Sequence, residues 1–341
     1  MKADITVGNE IGTGNFGQVF LGKDKIHGEV AIKKLKKPPP GSKNSWATVK
    51  AEMLSEALFL KQADHANVVK IINLVEDSDG SLLLVMEYCS GGCAEKFFEA
   101  GPSKLSLVRQ IATDVAMGLQ SLHLRDMIHR DIKPKNILIT QGGSAKLGDF
   151  GLVTDQLVLG YADQVGYWDH LPPEIYSGKG TSVKSDIWAL GMTIYRLLHG
   201  AEWYEAGPAP KDIIPDGGFA DTLKWLPHIP KRWRKTVRCM LDDDPSKRPQ
   251  TATQVINLLS GLPIGPDWEC EIDQNAIRWS ATESQRRLAV EWTTRPGKNS
   301  WKATSYPVKA GNKKTLNGSG GECTKAIAER RLREFFESRL R

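Results

Sequence analysis

Apolar and polar residues alternate along the first part of the chain, with the two-residue period of half-buried strands. This alternation and the turn residues between its runs predict strands over 5–11, 18–22, 29–35, 68–75 and 81–88. One helical run separates the third strand from the fourth, over 47–62, after the Pro-Pro-Pro-Gly sequence at 38–41 breaks the chain. The first part of the chain is therefore predicted to be rich in strands.

After the glycine pair at 91–92, the apolar spacing becomes helical. A helix is predicted over 106–124, and its apolar positions are Val108, Ile111, Val115, Leu119 and Leu122. The run over 187–198 is strongly apolar, which is typical of a buried helix. A strand-rich lobe followed by a helical lobe is the expected arrangement.

A third region follows a Gly- and Pro-rich segment over 261–266, which is predicted to be a linker. Short strand-like runs come next, at 268–272, 276–281, 287–293 and 300–308. A polar, glycine-rich loop over 309–321 and a basic amphipathic helix over 323–340 complete the chain. The fold class is thus predicted to be α+β, with a small C-terminal domain of three to four strands and one helix.

Composition excludes several classes of protein. Hydrophobic residues make up 40% of the chain and charged residues 25%, as in a soluble protein with a core. No apolar run reaches the roughly 18 residues of a membrane-spanning helix, so no membrane partner is expected. The N-terminus lacks the apolar stretch of a signal peptide. The 5 cysteines form no CxxC pair, which argues against a disulfide framework or a zinc site and favours a reducing, cytoplasmic compartment.

The first candidate for chemistry is a glycine-rich loop, with the sequence Gly12-Thr-Gly14-Asn-Phe-Gly17-Gln-Val19. Glycine spacing of this kind also marks dinucleotide-binding turns and ordinary glycine-rich hairpins. A strand is predicted to continue after Val19, whereas a dinucleotide-binding turn would open a helix. Because glycines allow backbone N–H groups to approach phosphate oxygens closely, the loop is a candidate phosphate site.

Three further motifs follow in order along the chain. They are Val30-Ala31-Ile32-Lys33, the run His129-Arg130-Asp131-Ile132-Lys133-Pro134-Lys135-Asn136, and Asp149-Phe150-Gly151. Together with the glycine-rich loop, they resemble the signature set of the eukaryotic-like serine/threonine protein kinase family in order and spacing. The resemblance implies the bilobal protein-kinase fold, with an N-lobe over 1–88 and a C-lobe over 89–262. It leaves 266–341 as a small basic β/α accessory domain.

The resemblance implies roles for four residues in transferring the γ-phosphate of ATP to a hydroxyl group of a protein substrate. Asp131 would act as the catalytic base, with Lys133 adding positive charge near the phosphates. Asn136 and Asp149 would hold Mg²⁺ through hard oxygen ligands. A lysine two positions after the catalytic aspartate is similar to serine/threonine kinases, so Lys133 also favours that specificity.

The resemblance also implies that Lys33 contacts the phosphates and is held by a carboxylate. Glu52 and Glu56 are the candidates, one helical turn apart on the predicted helix. We choose Glu56, because Leu60 shares its face and its spacing to His65 matches the kinase pattern.

An adenine site is implied by the run over 84–89, which resembles the kinase hinge. Met86 would be the gatekeeper, and Glu87 and Cys89 would offer backbone hydrogen-bonding groups. The remaining nucleotide-binding positions would be apolar residues around the ring and glycines near the phosphates: Ile11, Val19, Ala31, Leu138, Gly12, Gly14 and Gly17. Cys93 falls near the ribose end, where an inert small residue is the favoured interpretation.

Other positions in the helical lobe match the kinase pattern or depart from it. Glu174, Asp186 and Arg248 match it and are expected to have structural roles. Tyr167 stands where serine/threonine kinases usually have the threonine that contacts the catalytic aspartate, which leaves the accepting hydroxyl open. Thr154 is the only Ser or Thr between Asp149 and Glu174 and is the candidate autophosphorylation site.

The C-terminal region carries most of the net charge of +6, with 15 Lys and Arg against 10 Asp and Glu from residue 266 onward. It faintly resembles a double-stranded-RNA-binding domain, although a solvated basic face on an interaction domain is favoured.

Three function classes stay open: an active kinase, a pseudokinase-like scaffold, and a kinase regulated by a protein or nucleic acid bound at 266–341. An active kinase is favoured because Lys33, Glu56, Asp131, Asn136 and Asp149 are all present.

Overall fold

A computed structural model describes residues 5–14, 17–35, 45–61, 64–148, 170–295, 298–309, 311–316 and 319–340. The first sheet is antiparallel and has the order β1-β2-β3-β5-β4. Its strands are β1 (Ile5–Gly14), β2 (Gly17–Asp24), β3 (Gly28–Leu35), β4 (Ile71–Glu76) and β5 (Leu82–Glu87). Helix α1 (Trp46–Lys61) lies against β4. The expected strands are present, but the fourth begins at Ile71 rather than at residue 68.

Alternation along β3 explains how this sheet positions a site. Val30 and Ile32 are fully buried in a small apolar cluster with Leu83 and Val85 of β5. Side chains at successive strand positions point to opposite faces, so Ala31 and Lys33 face the other way, toward a cleft. The same strand therefore builds the core of the N-lobe and presents a lysine to the cleft.

The second lobe is helical and surrounds a buried helix pair. Its helices are α2 (Glu95–Glu99), α3 (Leu105–His123), α4 (Pro173–Tyr176), α5 (Val183–Glu205), α6 (Pro210–Ile213), α7 (Phe219–Thr222), α8 (Lys231–Met240) and α9 (Ala252–Ser260). Helix α3 packs against α5 and α9 through its apolar face, as its spacing predicts. Ser182 begins α5 with a capping box that includes Ser185. A short hairpin of β6 (Ile137–Ile139) and β7 (Ala145–Leu147) lies beneath the cleft.

The C-terminal region forms a second antiparallel sheet, in the order β12-β11-β10-β9-β8, with β13 paired to β11. Its long strands are β8 (Glu269–Asp273), β9 (Ala276–Glu283), β10 (Arg286–Arg295) and β11 (Lys298–Pro307). Two short strands, β12 (Lys314–Thr315) and β13 (Glu322–Cys323), precede helix α10 (Lys325–Glu337). The predicted strands and helix are confirmed, with β12 lying in the segment expected to be a loop. The helix begins later than expected, because Thr324 caps its N-terminus by accepting a hydrogen bond from the backbone of Ile327.

The C-terminal sheet is packed directly onto the helical lobe. Trp268, Trp279 and Phe336 are buried in the same core as helices α3, α5 and α8. Trp233 donates a hydrogen bond to the carbonyl of Pro263, at 2.7 Å, so the Pro- and Gly-rich segment is held against α8. The segment over 261–266 is thus a fixed connection, although the boundaries 1–88, 89–262 and 266–341 themselves stay a prediction. Every helix in the described part of the chain is too short or too polar to cross a bilayer.

Candidate active site

A cleft of about 350 Å³ lies between the first sheet and the helical lobe. Most of the residues predicted to bind a nucleotide line it, namely Ile11, Gly12, Val19, Ala31, Lys33, Met86, Glu87, Cys89 and Leu138. Gly17, from the same prediction, does not line it, and the position of Gly14 relative to the cleft stays a prediction. Cys93 also lines the cleft, as does Lys135, which the sequence reasoning did not single out. Lys135 could have been found from its place between Lys133 and Asn136.

The β1–β2 hairpin covers the cleft, and its residues Gly12 and Gly17 differ in the space around them. A side chain on Gly12 would meet no atom within 4 Å, so its lack of a side chain leaves open space beside the cleft. Gly17 has a φ of 152°, and a Cβ there would lie 2.0 Å from the carbonyl oxygen of Lys34. Gly17 is therefore required for β2 to approach β3 closely, and this approach fixes the position of the hairpin.

Lys33 enters the cleft from β3 and is 5% exposed. A buried ammonium group is costly unless an anion or a polar group accompanies it, so its position suits a negatively charged ligand or carboxylate. Glu56 lies in α1, but its side chain and that of Glu52 are outside the described part of the structure. The Lys33–Glu56 ion pair stays a prediction.

At the back of the cleft, β5 ends in a connection that can hydrogen-bond a planar ligand. Cys89 is buried, and its backbone N–H makes no hydrogen bond within the part of the chain that the structure describes. The Glu87 carboxylate accepts a hydrogen bond from Lys146 at 2.8 Å. Burial raises the pKa of the Cys89 thiol to about 11, so the thiol stays protonated at neutral pH. This edge offers a backbone donor beside apolar walls.

Next to Asn136, which lines the cleft, Asp131 is held by two donors. Asn136 Nδ2 lies 2.6 Å from Asp131 Oδ2 and 2.8 Å from the Asp131 carbonyl oxygen. Lys133 Nζ lies 2.9 Å from the same Oδ2. All three residues are at most 8% exposed. Charged hydrogen bonds of this kind fix the orientation of a carboxylate.

The loop that carries Asp131 is anchored from below by Asp186, at the start of α5. The backbone N–H groups of His129 and Arg130 each donate to its carboxylate at 2.9 Å, and His123 contacts it at 2.8 Å. Arg130 has a left-handed φ of 69°, a conformation that non-glycine residues adopt only at a cost. Asp186 therefore supplies hydrogen bonds that stabilise the bend on which Asp131 depends.

Gly148, the residue after β7, is hydrogen-bonded to the same loop. His129 Nε2 lies 3.2 Å from the Gly148 carbonyl oxygen, and the Gly148 N–H donates to the Asn136 carbonyl at 2.9 Å. The next residue, Asp149, lies outside the described residues, as do Thr154 and Tyr167. The structure thus brings Asp131, Lys133 and Asn136 together, and Gly148, the neighbour of Asp149, contacts the same loop.

Further from the cleft, the residues expected to be structural form a buried network. Arg248 binds both carboxylate oxygens of Glu174, at 2.8 Å each, and Ser185 donates to Glu174 at 3.0 Å. Such a bidentate pair ties α4 to the segment before α9. His170, which the sequence reasoning missed, accepts from Arg196 at 2.6 Å. Burial, together with Arg196 and Lys133, lowers its pKa well below the usual value, so it is neutral.

Comparison with known proteins assigns a family to this geometry. Residues 5–258 match the family model described as protein kinase domain. The chain is 29% identical to 3-phosphoinositide-dependent protein kinase 1 of Arabidopsis thaliana, over 78% of this chain and 56% of that protein. It is 36% identical to cell division control protein 7 of Schizosaccharomyces pombe, over 60% of this chain and 19% of that protein. It is 30% identical to serine/threonine-protein kinase ATG1b of Arabidopsis thaliana, over 58% of this chain and 28% of that protein. The chain therefore spans little more than half the length of these relatives, or less.

Proposed function

Because the chain belongs to the protein kinase family, we propose that it is a serine/threonine protein kinase, which transfers the γ-phosphate of ATP to hydroxyl groups of protein substrates. The observation that carries the proposal is that Asp131 and Lys133 are bonded together beside Asn136, which lines a cleft of nucleotide dimensions. Fold membership alone does not assign chemistry, whereas an oriented carboxylate beside a buried lysine can perform it.

Asp131 is the group that we assign to the substrate hydroxyl. With its Oδ2 held by Lys133 and Asn136, the carboxylate has a fixed direction in which to accept the proton of that hydroxyl. Lys133 lies close enough to place its positive charge beside the transferred group as negative charge develops there. The lysine at this position also supports serine and threonine over tyrosine as acceptors.

Mg²⁺, when bound, would neutralise the charge that develops on the phosphate oxygens. Asn136 fits a magnesium ligand, because its Nδ2 is used by Asp131 and its amide oxygen accepts no hydrogen bond from the described residues. Asp149 is the second proposed ligand, and the hydrogen bond between its neighbour Gly148 and Asn136 supports this proposal. Amide and carboxylate oxygens are the ligand types that this ion prefers.

ATP fits the remaining walls of the cleft. The Cys89 N–H would donate to the adenine ring, with Ala31, Val19 and Leu138 against its faces. Lys33 would bind the phosphates, held there by Glu56. Residues 266–341 would regulate the kinase or bind a partner.

The proposal is tested by measuring phosphate transfer from radiolabelled ATP with Mg²⁺ to mixed serine, threonine and tyrosine peptides, for the wild type and Asp131→Asn. Loss of the base is expected to slow transfer by about 10²–10⁴-fold. Asp126→Asn is the matched control, because Asp126 is exposed on the same segment and has a left-handed φ of 57° that asparagine also accepts. Equal labelling by wild type and Asp131→Asn would show that Asp131 is not the base, and transfer to tyrosine alone would overturn the specificity.

A further inference from the structure

A second cavity, of about 310 Å³, lies on the outer face of the C-terminal sheet. Its volume is close to that of the cleft between the lobes, about 350 Å³. It crosses strands β8 to β11 and lies outside the region that matches the protein kinase domain, which ends at residue 258. Neither phosphate transfer nor ATP binding accounts for it.

The register of the sheet explains why space is left there. Ser280, Ala289 and Thr304 stand opposite one another on adjacent strands, and their short side chains form the floor. Two positions along each strand on the same face, Arg278, Glu291 and Lys302 also stand in line and form one wall. Tyr306, on β11, lies on the opposite side of the floor from Lys302. The cavity is therefore built by the strand register, with long polar side chains around a shallow floor.

The acidic side chains at the cavity are largely neutralised by partners within the protein. Glu291 is bound by Arg278 at 2.9 Å, and Arg278 also contacts Asp273. Glu269 is bound by Lys104 of the helical lobe at 2.7 Å. Glu271 forms no salt bridge within the described residues, and Arg278 is shared by two carboxylates, so the β8 and β9 side of the cavity keeps some negative charge.

The basic side chains at the β11 side are not neutralised in this way. Lys302 lies opposite Glu291 in the register, but the Glu291 carboxylate is held by Arg278. Within the described part of the chain, neither Lys302 nor Lys313 forms a salt bridge with a carboxylate. Lys313 instead lies 5.0 Å from the centre of the Tyr306 ring. The β11 side of the cavity therefore carries two positive charges that no carboxylate of the described residues neutralises.

Two hydroxyl groups stand between these lysines. Lys302, Thr304, Tyr306 and Lys313 all line the cavity, and Thr304 and the two lysines lower the pKa of Tyr306. Thr304 is 5% exposed, so its hydroxyl is fixed at the floor. The Thr304 hydroxyl donates to the Ala289 carbonyl, at 3.4 Å, which leaves two ammonium groups and the Tyr306 hydroxyl as donors to one compact anion.

We propose that this cavity binds a phosphorylated serine or threonine side chain of a protein, with Lys302, Lys313 and Tyr306 holding the phosphate. A phosphate monoester carries nearly two negative charges and three acceptor oxygens, which match the two lysines and the Tyr306 hydroxyl. A nucleic acid fits less well, because Glu271, which has no cationic partner among the described residues, lies along the same cavity and would repel a chain of successive phosphates.

Binding at this cavity does not depend on phosphate transfer by the cleft, so the two proposals can fail separately. The probe is a fluorescein-labelled mixture of short peptides with phosphothreonine or phosphoserine at a fixed central position, and fluorescence anisotropy with the full chain measures binding. The same mixture without phosphate is the ligand control. Asp131→Asn protein is expected to bind the phosphorylated mixture as tightly as the wild type does.

The variants are Lys302→Ala and Lys313→Ala, each expected to weaken binding by about tenfold through loss of a charge-assisted hydrogen bond. Lys314→Ala is the matched control, since Lys314 is the exposed neighbour of Lys313 on β12 and does not line the cavity. Tyr306→Phe keeps the ring beside Lys313 and removes the hydroxyl, and a weaker affinity is expected again. Circular dichroism of each variant checks that the sheet is intact.

Competition by inorganic phosphate at millimolar concentration would support a site for a single anion. The proposal is overturned if the phosphorylated and unphosphorylated mixtures bind equally, if neither binds, or if Lys314→Ala weakens binding as much as Lys313→Ala does. It is also overturned if single-stranded RNA binds through Lys302 and Lys313 while the phosphopeptides do not, because the cavity would then be part of a nucleic-acid surface.

Discussion

His228 provides a sharp test of how the C-terminal sheet is attached to the helical lobe. Its ring is buried at the contact between them, where Trp279 Nε1 donates a hydrogen bond to His228 Nδ1 at 2.9 Å. Phe336 of α10 lies edge-on to the same ring. Burial, with a smaller effect from nearby His199, lowers the pKa of His228 from 6.5 to about 3. The imidazole is therefore neutral in the folded protein, with Nδ1 as an acceptor.

The sign of the pH dependence follows from this lowered pKa. Above pH 6.5, neither the folded nor the unfolded state protonates His228, and its contribution to stability is fully present. As the pH falls below 6.5, the unfolded state gains a proton that the folded state excludes, so the free energy of unfolding decreases. About pH 5 lies roughly 1.5 pH units below the unfolded-state pKa of 6.5 and still above the folded-state pKa of about 3. The free energy of unfolding is therefore lower there by about 2 kcal/mol, at 1.36 kcal/mol per unit.

The assay is urea unfolding of wild type and His228→Asn at about pH 7.5 and about pH 5, followed by tryptophan fluorescence. Asparagine places an amide oxygen near the position of Nδ1, so it keeps an acceptor for Trp279 but does not titrate. The wild type is expected to lose about 2 kcal/mol more than His228→Asn between the two pH values. The contribution of His199, which is buried with a pKa lowered to about 3, is common to both proteins and cancels. His27→Asn, at an exposed site, is the control; equal losses for wild type and His228→Asn would refute the reasoning.

Two further predictions concern a buried ion pair in the helical lobe and the glycines of the β1–β2 hairpin. Arg248→Met should lower the free energy of unfolding by about 3–5 kcal/mol, because it leaves the buried Glu174 carboxylate unpaired. Thermal unfolding of Arg248→Met measures this, and a change within error of wild type would show that the pair is not needed. Gly17→Ala should weaken nucleotide binding, since its Cβ would lie 2.0 Å from the Lys34 carbonyl and push the hairpin off β3. Gly12→Ala meets no such contact, so a comparable loss in both variants, measured by calorimetric titration, would contradict this.

Much of the architecture follows from local sequence patterns. The alternation over 29–35 predicts a strand with one buried face, and the structure places Val30 and Ile32 in the core with Lys33 on the opposite face. The C-terminal strands and helix also follow from their periodicity, without any family resemblance. The errors are short elements such as β12, which was expected to be part of a loop, and the ends of longer elements. At these ends a cap such as Thr324 decides the boundary, and periodicity does not register it.

The motifs likewise placed most of the candidate site. The spacing within residues 129–136 was enough to bring Asp131, Lys133 and Asn136 together, because all three lie on one short loop. The distinction between Gly12 and Gly17 was not visible, since it depends on how closely the Lys34 backbone approaches. The contact between His170 and Arg196 was missed for the same reason, as the two residues lie on different elements.

What the sequence alone determined, then, is the set of strands and helices and the loop that carries Asp131, because these depend on neighbours along the chain. Only the tertiary structure decided that residues 266–341 pack onto the helical lobe, with Trp279 bonded to His228 across 51 positions of sequence. It also decided that Lys302 and Lys313 share a cavity, because strand register selects which distant side chains meet on one face of a sheet. Such contacts depend on the packing of whole elements, and no local pattern of apolar and polar residues specifies them.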